Sequence, residues 1–217
     1  LIAGQYFAEA AGCSEALTLD MGGTSCDVGV VVAGAIQSRQ QYEFEWGLPI
    51  AVPVVDLTTI GAGGSSIASF DLGGLLKVGP ESAGARPGPA AYGQGGTNAT
   101  VTDANLVLGR LNPEYFLGGE IPLDLDAARA SLDPLAERLG LSGEEAAVAV
   151  LDMTVENMAG AIRLLASDRG LDHRRFDLIA FGGAGPLHAG AILRRTGLAG
   201  VVVPPSPGLA SAFGALA

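Results

Sequence analysis

The stretch ALTLDMGGTSCDVGVVVAG, residues 16–34, decides the fold, because it sets two short apolar runs around a turn of small and hydroxylic residues. The runs at residues 16–19 and 28–36 are rich in apolar and β-branched side chains, which predicts two β-strands. The Gly22–Gly23 pair between them predicts a tight turn, and Gly34 predicts the opening of a second turn. Together these features predict the first strands of a β-meander.

The meander is predicted to continue in SRQQYEFEW, residues 38–46, where polar and apolar residues alternate as in a half-exposed strand. Residues 54–60 predict a buried strand, and the glycine pair at 73–74 predicts a hairpin turn within a glycine-rich segment. Later, the strand DLIAF, a helix starting at Pro186 and the strand GVVV predict a β-α-β unit with a parallel crossover. The predicted fold class is therefore mixed α/β.

Helices are predicted between these regions. TDANLVLGRL predicts a short helix capped by Thr102 or Asp103. Asp133 followed by proline predicts the start of a second helix, which Gly140 ends. A Ser–Glu capping box opens a long helix over about 143–168. Its apolar stripe, spaced by three and four residues, predicts a buried face made of Val148, Leu151, Val155, Met158, Ile162 and Leu165.

The composition excludes several classes of protein. The net charge of −11, with 12 Lys and Arg among 217 residues, argues against binding to nucleic acid or to an anionic membrane surface. No apolar run approaches the roughly 20 residues that a membrane-spanning helix needs. Two cysteines favour reduced thiols and a cytoplasmic location. The first residues resemble neither a translation start nor a signal peptide, so we expect a piece of a longer protein.

The turn after the first strand carries the residue types that hold a phosphate group. Gly22 and Gly23 leave backbone N–H groups accessible, and Thr24 and Ser25 add hydroxyl donors. Asp20, at the end of the strand, can hold the hydrated Mg²⁺ that accompanies a nucleotide. A plain hairpin, in which Asp20 and Thr24 bond the local backbone, is an equal alternative.

A second glycine-rich turn follows the strand DLIAF. Gly182, Gly183, Ala184 and Gly185 lead directly into a helix, so a ligand can approach both bare backbone and the positive helix end. The alternative is an ordinary strand-to-helix connection, since a glycine-rich turn alone is weakly specific. If both turns are sites, one serves phosphate and the other a nucleoside.

Two further residues are candidate metal ligands. Asp27, on the second strand, can support Mg²⁺ or simply bond the hairpin. His188, on the first turn of the helix after the second glycine turn, can contact a ligand or metal. Local packing is the favoured interpretation of His188, because no second His or Cys lies at metal-ligand spacing. The sequence identifies no catalytic residue.

Several longer motifs resemble one protein family. LDMGGTSCDV is similar to the second phosphate motif of the actin, sugar kinase and Hsp70 ATPase superfamily, and AFGGAGP is similar to its adenosine motif. More narrowly, the chain resembles the hydantoinase A and 5-oxoprolinase family, which includes the acetone carboxylase β-subunit. The motifs that carry this resemblance are DMGGTSCDV, TIGAGGSSIA, VGPESAGARPGPAAYG, TVTDANLVLGRLNPEYFLGG, FGGAGPLHA and VVPPSPGLASAFGAL.

The resemblance implies one hydantoinase A-type domain over residues 1–217, with residues 62–125 as a glycine-rich β insertion. It implies an RNase H-like, actin-like ATPase core with a mixed sheet and flanking helices. It also implies an ATP-dependent hydrolase that phosphorylates the amide oxygen of a small cyclic amide, with Mg²⁺ and K⁺ as ions. By position, Asp20 serves Mg²⁺ through water, residues 22–25 the phosphates and residues 182–185 the adenosine.

The chain departs from the family pattern at Cys26, Ser65 and Ala91, where Thr, Gly and Cys are expected. Ala91 removes any thiol role at its loop, and Ser65 argues against a close backbone contact there. The family's first phosphate motif is implied to lie upstream of these residues. The chain is therefore expected to form half of a nucleotide cleft and to need a hydantoinase B-type subunit or domain.

Two other functions stay open on the sequence. A carboxylase branch of the family uses ATP to activate a small ketone and bicarbonate. An actin-like or Hsp70-like module would bind nucleotide and switch partners without small-molecule chemistry.

Overall fold

The computed structural model describes residues 1–39, 42–44, 48–50 and 54–216. Its strands are β1 (Ala16–Met21), β2 (Cys26–Val32), β3 (Ala35–Ile36), β4 (Ser38–Arg39), β5 (Tyr42–Phe44), β6 (Leu48–Ile50), β7 (Val54–Val55), β8 (Leu57–Ile60), β9 (Ser66–Phe70), β10 (Leu76–Ser82), β11 (Asp177–Phe181) and β12 (Gly200–Val202). Its helices are α1 (Ile2–Ala10), α2 (Val101–Val107), α3 (Leu125–Leu139), α4 (Gly143–Ser167), α5 (Gly185–Thr196) and α6 (Ala210–Leu216). The predicted mixed α/β class is confirmed.

The main sheet has the strand order β12-β11-β1-β2-β3, and β8 also pairs with β2. β1 runs parallel to β11, with Asp20 opposite Phe181, and β11 runs parallel to β12. β2 and β3 are antiparallel. A meander extended by two parallel strands is the mixed sheet expected of an RNase H-like core. Because β1 and β11 are parallel neighbours, the chain leaves both strands at the same edge of the sheet, where ligands bind in open α/β sheets.

Contacts divide the chain into two compact units. The first unit comprises Leu1–Asp20, Asp27–Thr59 and Ala159–Ala217, and it contains the main sheet. The second unit comprises Met21–Cys26 and Ile60–Met158. The turn between β1 and β2 therefore groups by its contacts with the second unit, which also contains the glycine-rich segment.

The core of the first unit is built from alanines on α1, α6 and β1 and from larger residues on the other strands, namely Ala3, Ala8, Ala16, Val31, Ile179, Phe181 and Ala210. A Cβ on Gly214 would lie 2.6 Å from the backbone nitrogen of Ala3, so the close approach of α6 to α1 requires glycine. A buried ion pair adds to this core, with Arg169 Nε 2.5 Å from Asp56 Oδ2.

The second unit is organised around the start of α2. Asp103, with no exposed surface, accepts hydrogen bonds from the N–H groups of Ala91 (2.8 Å) and Thr100 (2.9 Å) and from the Thr100 hydroxyl (2.7 Å). Burial raises the pKa of Asp103, and these hydrogen bonds act in the opposite direction. Asp103 thus fixes both the helix start and the loop that carries Ala91, beside an apolar cluster of Ala91, Leu106, Leu123 and Ala128.

The predicted cap of α2 was wrong. Thr100 is the N-cap and Asp103 is the third helical residue, so the two form a reciprocal capping box. The predicted start of α3 was also wrong, because Asp124 caps it by accepting from Ala127 N–H at 2.9 Å. Pro134 consequently lies inside α3.

A continuous buried face explains why α3 runs through its proline. Ala128, Leu132 and Leu135 on this helix are all buried, so ending the helix before Pro134 would expose apolar area. The predicted end of α3 is confirmed, since Gly140 adopts a left-handed conformation with φ of 67°.

The long helix α4 matches its predicted bounds within one residue. Its capping box is confirmed, with Glu145 N–H 3.2 Å from Ser142 Oγ and Ser142 N–H 2.8 Å from Glu145 Oε2. The predicted stripe is buried except for Val148, which is 45% exposed. Ala146 and Ala147 are buried at this end of the helix, so Val148 lies beside the buried face and not on it.

The strand predictions agree in part. The β9–β10 hairpin is confirmed, with Leu76 opposite Phe70, and so are β11, α5 and β12. The predicted run 28–36 forms β2 and β3, and the turn predicted at Gly34 lies between these two strands. The predicted buried strand 54–60 is β7 and β8, in which partly and more fully exposed residues alternate. Within the predicted third strand, β4 and β5 are present, and residues 40, 41, 45 and 46 lie outside the described part.

No helix among the described residues has the length and apolar character to cross a membrane.

Candidate functional site

The turn between β1 and β2 presents unbonded backbone donors. It is closed by a hydrogen bond of 3.0 Å from Gly22 N–H to the Ser25 carbonyl. Gly22, Gly23 and Thr24 are exposed, and Ser25 is half-buried. Within the described ranges, the N–H groups of Gly23, Thr24 and Ser25 donate no hydrogen bond to the protein. Successive free N–H groups of this kind form anion-binding concavities, so the turn can hold a phosphate.

A second glycine bend, residues 61–65, supports this turn. Gly64 N–H donates to the Gly22 carbonyl at 3.0 Å, and Ser65 N–H donates to the Gly23 carbonyl at 2.6 Å. A Cβ on Gly63 would lie 2.5 Å from Gly23 O and from Thr24 N, so only glycine permits this approach. The carbonyls of Gly22 and Gly23 are therefore satisfied by the second bend, while the N–H groups of Gly23, Thr24 and Ser25 stay available.

The support extends to α2 through Thr102. Its N–H and its hydroxyl both lie 2.8 Å from the carbonyl oxygen of Gly64. The resemblance includes residues 61–65 in a family motif, but it did not indicate that they bond the turn at residues 22–25 or that Thr102 bonds them. The available signal was the run GAGGSS directly after a strand.

Two of the sequence departures can now be located. The presence of a side chain at Ser65 argued against a close backbone contact, but the contact is made. It uses the N–H group of Ser65, which the side chain leaves free to bond. Ala91 is fully buried and donates its N–H to Asp103, so the loop is held through backbone at a position without a thiol.

Asp20 lies at the carboxyl end of β1 in the first unit. The hydroxyl of Ser211, on α6, donates a hydrogen bond to Asp20 Oδ2. Asp20 and Ser211 border a cavity of about 270 Å³ together with residues of α1 and α6. No cluster of three or more His, Cys, Asp or Glu suited to a metal occurs among the described residues.

The glycine turn after β11 has a different geometry. Gly182 is buried with φ of 82°, and its N–H donates to the Pro207 carbonyl at 3.0 Å. Gly183 is exposed, and a Cβ placed on it would meet no atom within 4 Å. α5 then begins at Gly185 with Ala184 as its N-cap. Since Asp20 is opposite Phe181, this turn and Asp20 lie at one edge of the main sheet.

The two remaining candidates lie in the first unit. Asp27 Oδ1 accepts a hydrogen bond of 2.5 Å from the hydroxyl of Thr59 on β8, which is a bond between neighbouring strands and not one within the β1–β2 hairpin. His188 is fully buried within α5, which agrees with local packing. The structure thus places Asp20 beside residues 182–185 in the first unit and residues 22–25 beside residues 61–65 in the second.

Comparison with known proteins finds relatives that match 90% or more of the chain. Over 213 residues it is 41% identical to caprolactamase subunit alpha of Pseudomonas jessenii, which covers 98% of this chain and 30% of that protein. Over 209 residues it is 38% identical to the 5-oxoprolinase of Saccharomyces cerevisiae, which covers 90% of this chain and 16% of that protein.

Solved structures agree with the sequence matches. The crystal structure of the ATP-dependent caprolactamase from Pseudomonas jessenii matches with a TM-score of 0.89, covering 98% of this chain and 31% of that chain. A nucleotide-free acetone carboxylase structure, 32% identical, matches with a TM-score of 0.88 and covers 98% and 30%. The chain spans about a third or less of the length of these relatives. The model of the hydantoinase/oxoprolinase family matches residues 1–217, and the chain therefore belongs to that family.

Proposed function

We propose that this chain is the nucleotide-binding portion of an ATP-dependent hydrolase that opens a cyclic amide. The observation that carries the proposal is the turn at residues 22–25. Its N–H groups at residues 23–25 are accessible, and its carbonyls accept hydrogen bonds from a second glycine bend. Membership of the hydantoinase/oxoprolinase family supports it, as does the likeness to a caprolactamase and a 5-oxoprolinase.

In this proposal the ATP phosphates accept hydrogen bonds from the N–H groups of Gly23, Thr24 and Ser25. Asp20, which precedes the turn by two residues, holds Mg²⁺ through water. Gly183 offers bare, exposed backbone to the adenosine, while Gly182 and Gly185 shape the turn on either side of it. The donor set fits these groups, because free amides suit phosphate and a lone carboxylate suits hydrated Mg²⁺.

The proposed reaction consumes one cyclic amide, one ATP and two waters, and it releases an amino acid, ADP and inorganic phosphate. The amide oxygen attacks the terminal phosphorus of ATP, and the bond from that phosphorus to the bridging oxygen breaks. Phosphorylation makes the former amide oxygen a leaving group. One water then adds at the ring carbon and the ring C–N bond breaks, with the nitrogen taking a proton, and a second water releases phosphate. The residues of the turn contribute by positioning the phosphates and balancing their charge.

The whole enzyme is proposed to contain more than this chain. We infer that an N-terminal ATPase half and a hydantoinase B-type subunit or domain act with it in the cytoplasm, with K⁺ as a further ion. The match to about a third of a caprolactamase subunit supports this proposal.

A second candidate is ATP-dependent carboxylation of a small ketone. The acetone carboxylase structure that matches with a TM-score of 0.88 favours it. In that case bicarbonate, and not a cyclic amide, stimulates ATP consumption.

The test is phosphate release by the full enzyme that carries this chain, assembled with its partner subunit. ATP, Mg²⁺ and K⁺ are supplied with hydantoin, 5-oxoproline, 2-pyrrolidone or ε-caprolactam, and separately with acetone and bicarbonate. We expect at least one cyclic amide to stimulate phosphate release and to be opened in equal amount. Asp20→Asn is expected to reduce this rate, whereas Asp133→Asn, on the exposed face of α3, is not. Stimulation by ketone and bicarbonate alone would replace the proposal by the second candidate.

A further inference from the structure

A cavity of about 310 Å³ in the second unit includes part of the turn that we propose binds phosphate. Its lining combines Gly23, Thr24 and Ser65 with Tyr92, Phe116, Leu117 and Ile121. Its volume is near the lower end of the roughly 300–1,000 Å³ typical of small-molecule sites. An occupant of this cavity therefore lies against the residues proposed to hold the transferred phosphate.

The apolar wall of the cavity is formed by side chains that pack against one another and against a buried cluster. The rings of Tyr92 and Phe116 contact each other, with centroids 5.5 Å apart, and Phe116 pairs with Ile121 in an isolated β-bridge. All three pack against the buried cluster around Ala91 and Leu106. Burial raises the pKa of the Tyr92 phenol, so it stays neutral at physiological pH. Such a wall keeps its shape and can bury the carbon skeleton of a small ring.

The next residue, Leu117, is held in an unusual conformation beside this wall. Its φ is 50°, which is rare for a residue other than glycine, and its side chain is 60% exposed. Backbone strain of this kind concentrates at ligand sites. The Leu117 side chain thus lines the cavity and is not packed in the core.

The lining of the cavity, within the described part of the chain, contains no charged side chain. Gln94 contributes a neutral carboxamide, which can both donate to and accept from an amide. Burying a carboxylate without a cationic partner is strongly unfavourable, whereas a neutral amide loses little when it is hydrogen-bonded.

Resting on the proposed function, we propose that this cavity holds the cyclic amide beside the terminal phosphate and selects an uncharged, largely apolar ring over one that carries a carboxylate. The ring carbons lie against Tyr92 and Phe116, and the amide oxygen lies toward Gly23 and Thr24. Gln94 bonds the amide edge.

The decisive comparison uses 2-pyrrolidone and 5-oxoproline, which share one five-membered ring and differ by a single carboxylate. With the full enzyme and saturating ATP, we expect kcat/KM for 2-pyrrolidone to exceed that for 5-oxoproline by at least tenfold. ε-Caprolactam is expected to be accepted as well, because its additional carbons are apolar. Equal or higher kcat/KM for 5-oxoproline would overturn the inference and leave the proposed function intact.

A charge placed in the wall provides a second readout. Leu117→Arg supplies the missing cation at an exposed side chain, so it is expected to narrow or reverse the preference through a higher kcat/KM for 5-oxoproline. Leu72→Arg is the matched control, since Leu72 is fully exposed and does not line the cavity. If both variants change the preference equally, the cavity does not select the substrate. If no cyclic amide stimulates phosphate release in any variant, the proposed function itself fails, and the inference fails with it.

Discussion

The turn at residues 22–25 and the turn at residues 182–185 look alike in sequence but use glycine for different reasons. The first turn depends on a glycine outside itself, because a Cβ on Gly63 would lie 2.5 Å from its backbone. In the second turn, Gly182 is required for a positive φ of 82°, and Gly183 is surrounded by open space. A glycine-rich motif can therefore mark close packing, backbone conformation or ligand access, and only the neighbouring atoms distinguish them.

The difference predicts how each turn responds to a methyl group. A methyl on Gly63 would push the supporting bend away from the carbonyls of the first turn that it bonds. In the second turn, a methyl on Gly182 would be strained because this residue has a positive φ, whereas a methyl on Gly183 would contact no atom within 4 Å. The following predictions test this contrast in the full enzyme.

Gly63→Ala should have the largest effect. Because the new Cβ would overlap Gly23 O and Thr24 N, the turn must move, and a misplacement of about 1 Å can cost roughly 100-fold in rate. We expect kcat/KM for ATP to fall by about that factor, measured by steady-state phosphate release. Thermal unfolding of the same variant shows whether the fold survives.

The matched control for that variant is Gly160→Ala on the exposed face of α4, where a Cβ meets no atom within 4 Å. This change should leave activity intact and should stabilise the helix by roughly 0.5–1 kcal/mol. Normal activity of Gly63→Ala would show that the second bend does not hold the first turn.

Asp103→Ala should destabilise the second unit by removing the acceptor that organises α2. It leaves the buried N–H groups of Ala91 and Thr100 without their partner, at a cost of about 1–3 kcal/mol for each group. We expect the free energy of unfolding to fall by about 3 kcal/mol, measured by urea denaturation. Asp124→Ala, which removes an exposed cap from α3, should cost only about 1 kcal/mol. Equal losses of unfolding free energy in the two variants would mean that the burial of Asp103 does not increase its contribution to stability.

Much of the fold could be predicted because its signals are local. The Ser142–Glu145 capping box, Gly140 and the strand before Gly182 are each fixed by neighbouring residues, and each is confirmed. Two errors arose where distant packing competes with local chemistry. Pro134 looked like a helix start, but the buried face of α3 continues through it. Val148 fits the apolar spacing of α4, yet it is 45% exposed.

The candidate site likewise has features that the sequence could predict and features that it could not. That the turn after β1 exposes N–H groups could be predicted from its residue types, although Gly22 N–H is bonded within the turn. The binding roles of Asp20 and of this turn stay predictions. The support from Gly63, Gly64 and Thr102 could not be predicted from local sequence, because it joins segments about 40 to 80 positions apart through contacts to backbone carbonyls. Backbone contacts leave no residue-type signal except glycine, which has many other uses.

Gly183→Ala should have a smaller and more selective effect than Gly63→Ala. Its Cβ has free space, so the free energy of unfolding should not change. If adenosine approaches this backbone, the methyl should raise KM for ATP by about tenfold, equivalent to 1.4 kcal/mol, with kcat retained. Gly182→Ala is the comparison, since its positive φ predicts a loss of about 1 kcal/mol or more in stability. An unchanged KM for Gly183→Ala would exclude a close contact with nucleotide there.

Ser211→Ala should have the smallest effect, because it alters the orientation of Asp20 and leaves its charge in place. The lost hydrogen bond to Asp20 Oδ2 should raise the Mg²⁺ concentration for half-maximal activity by roughly threefold, as expected for one charge-assisted bond at an accessible site. KM for the cyclic amide should not change, which separates positioning of the ion from general damage. Ser211→Thr keeps the hydroxyl and should restore the Mg²⁺ dependence. If alanine and threonine variants behave alike, Asp20 is oriented by its strand alone, and the edge of the main sheet contributes to nucleotide binding only through the backbone of residues 182–185.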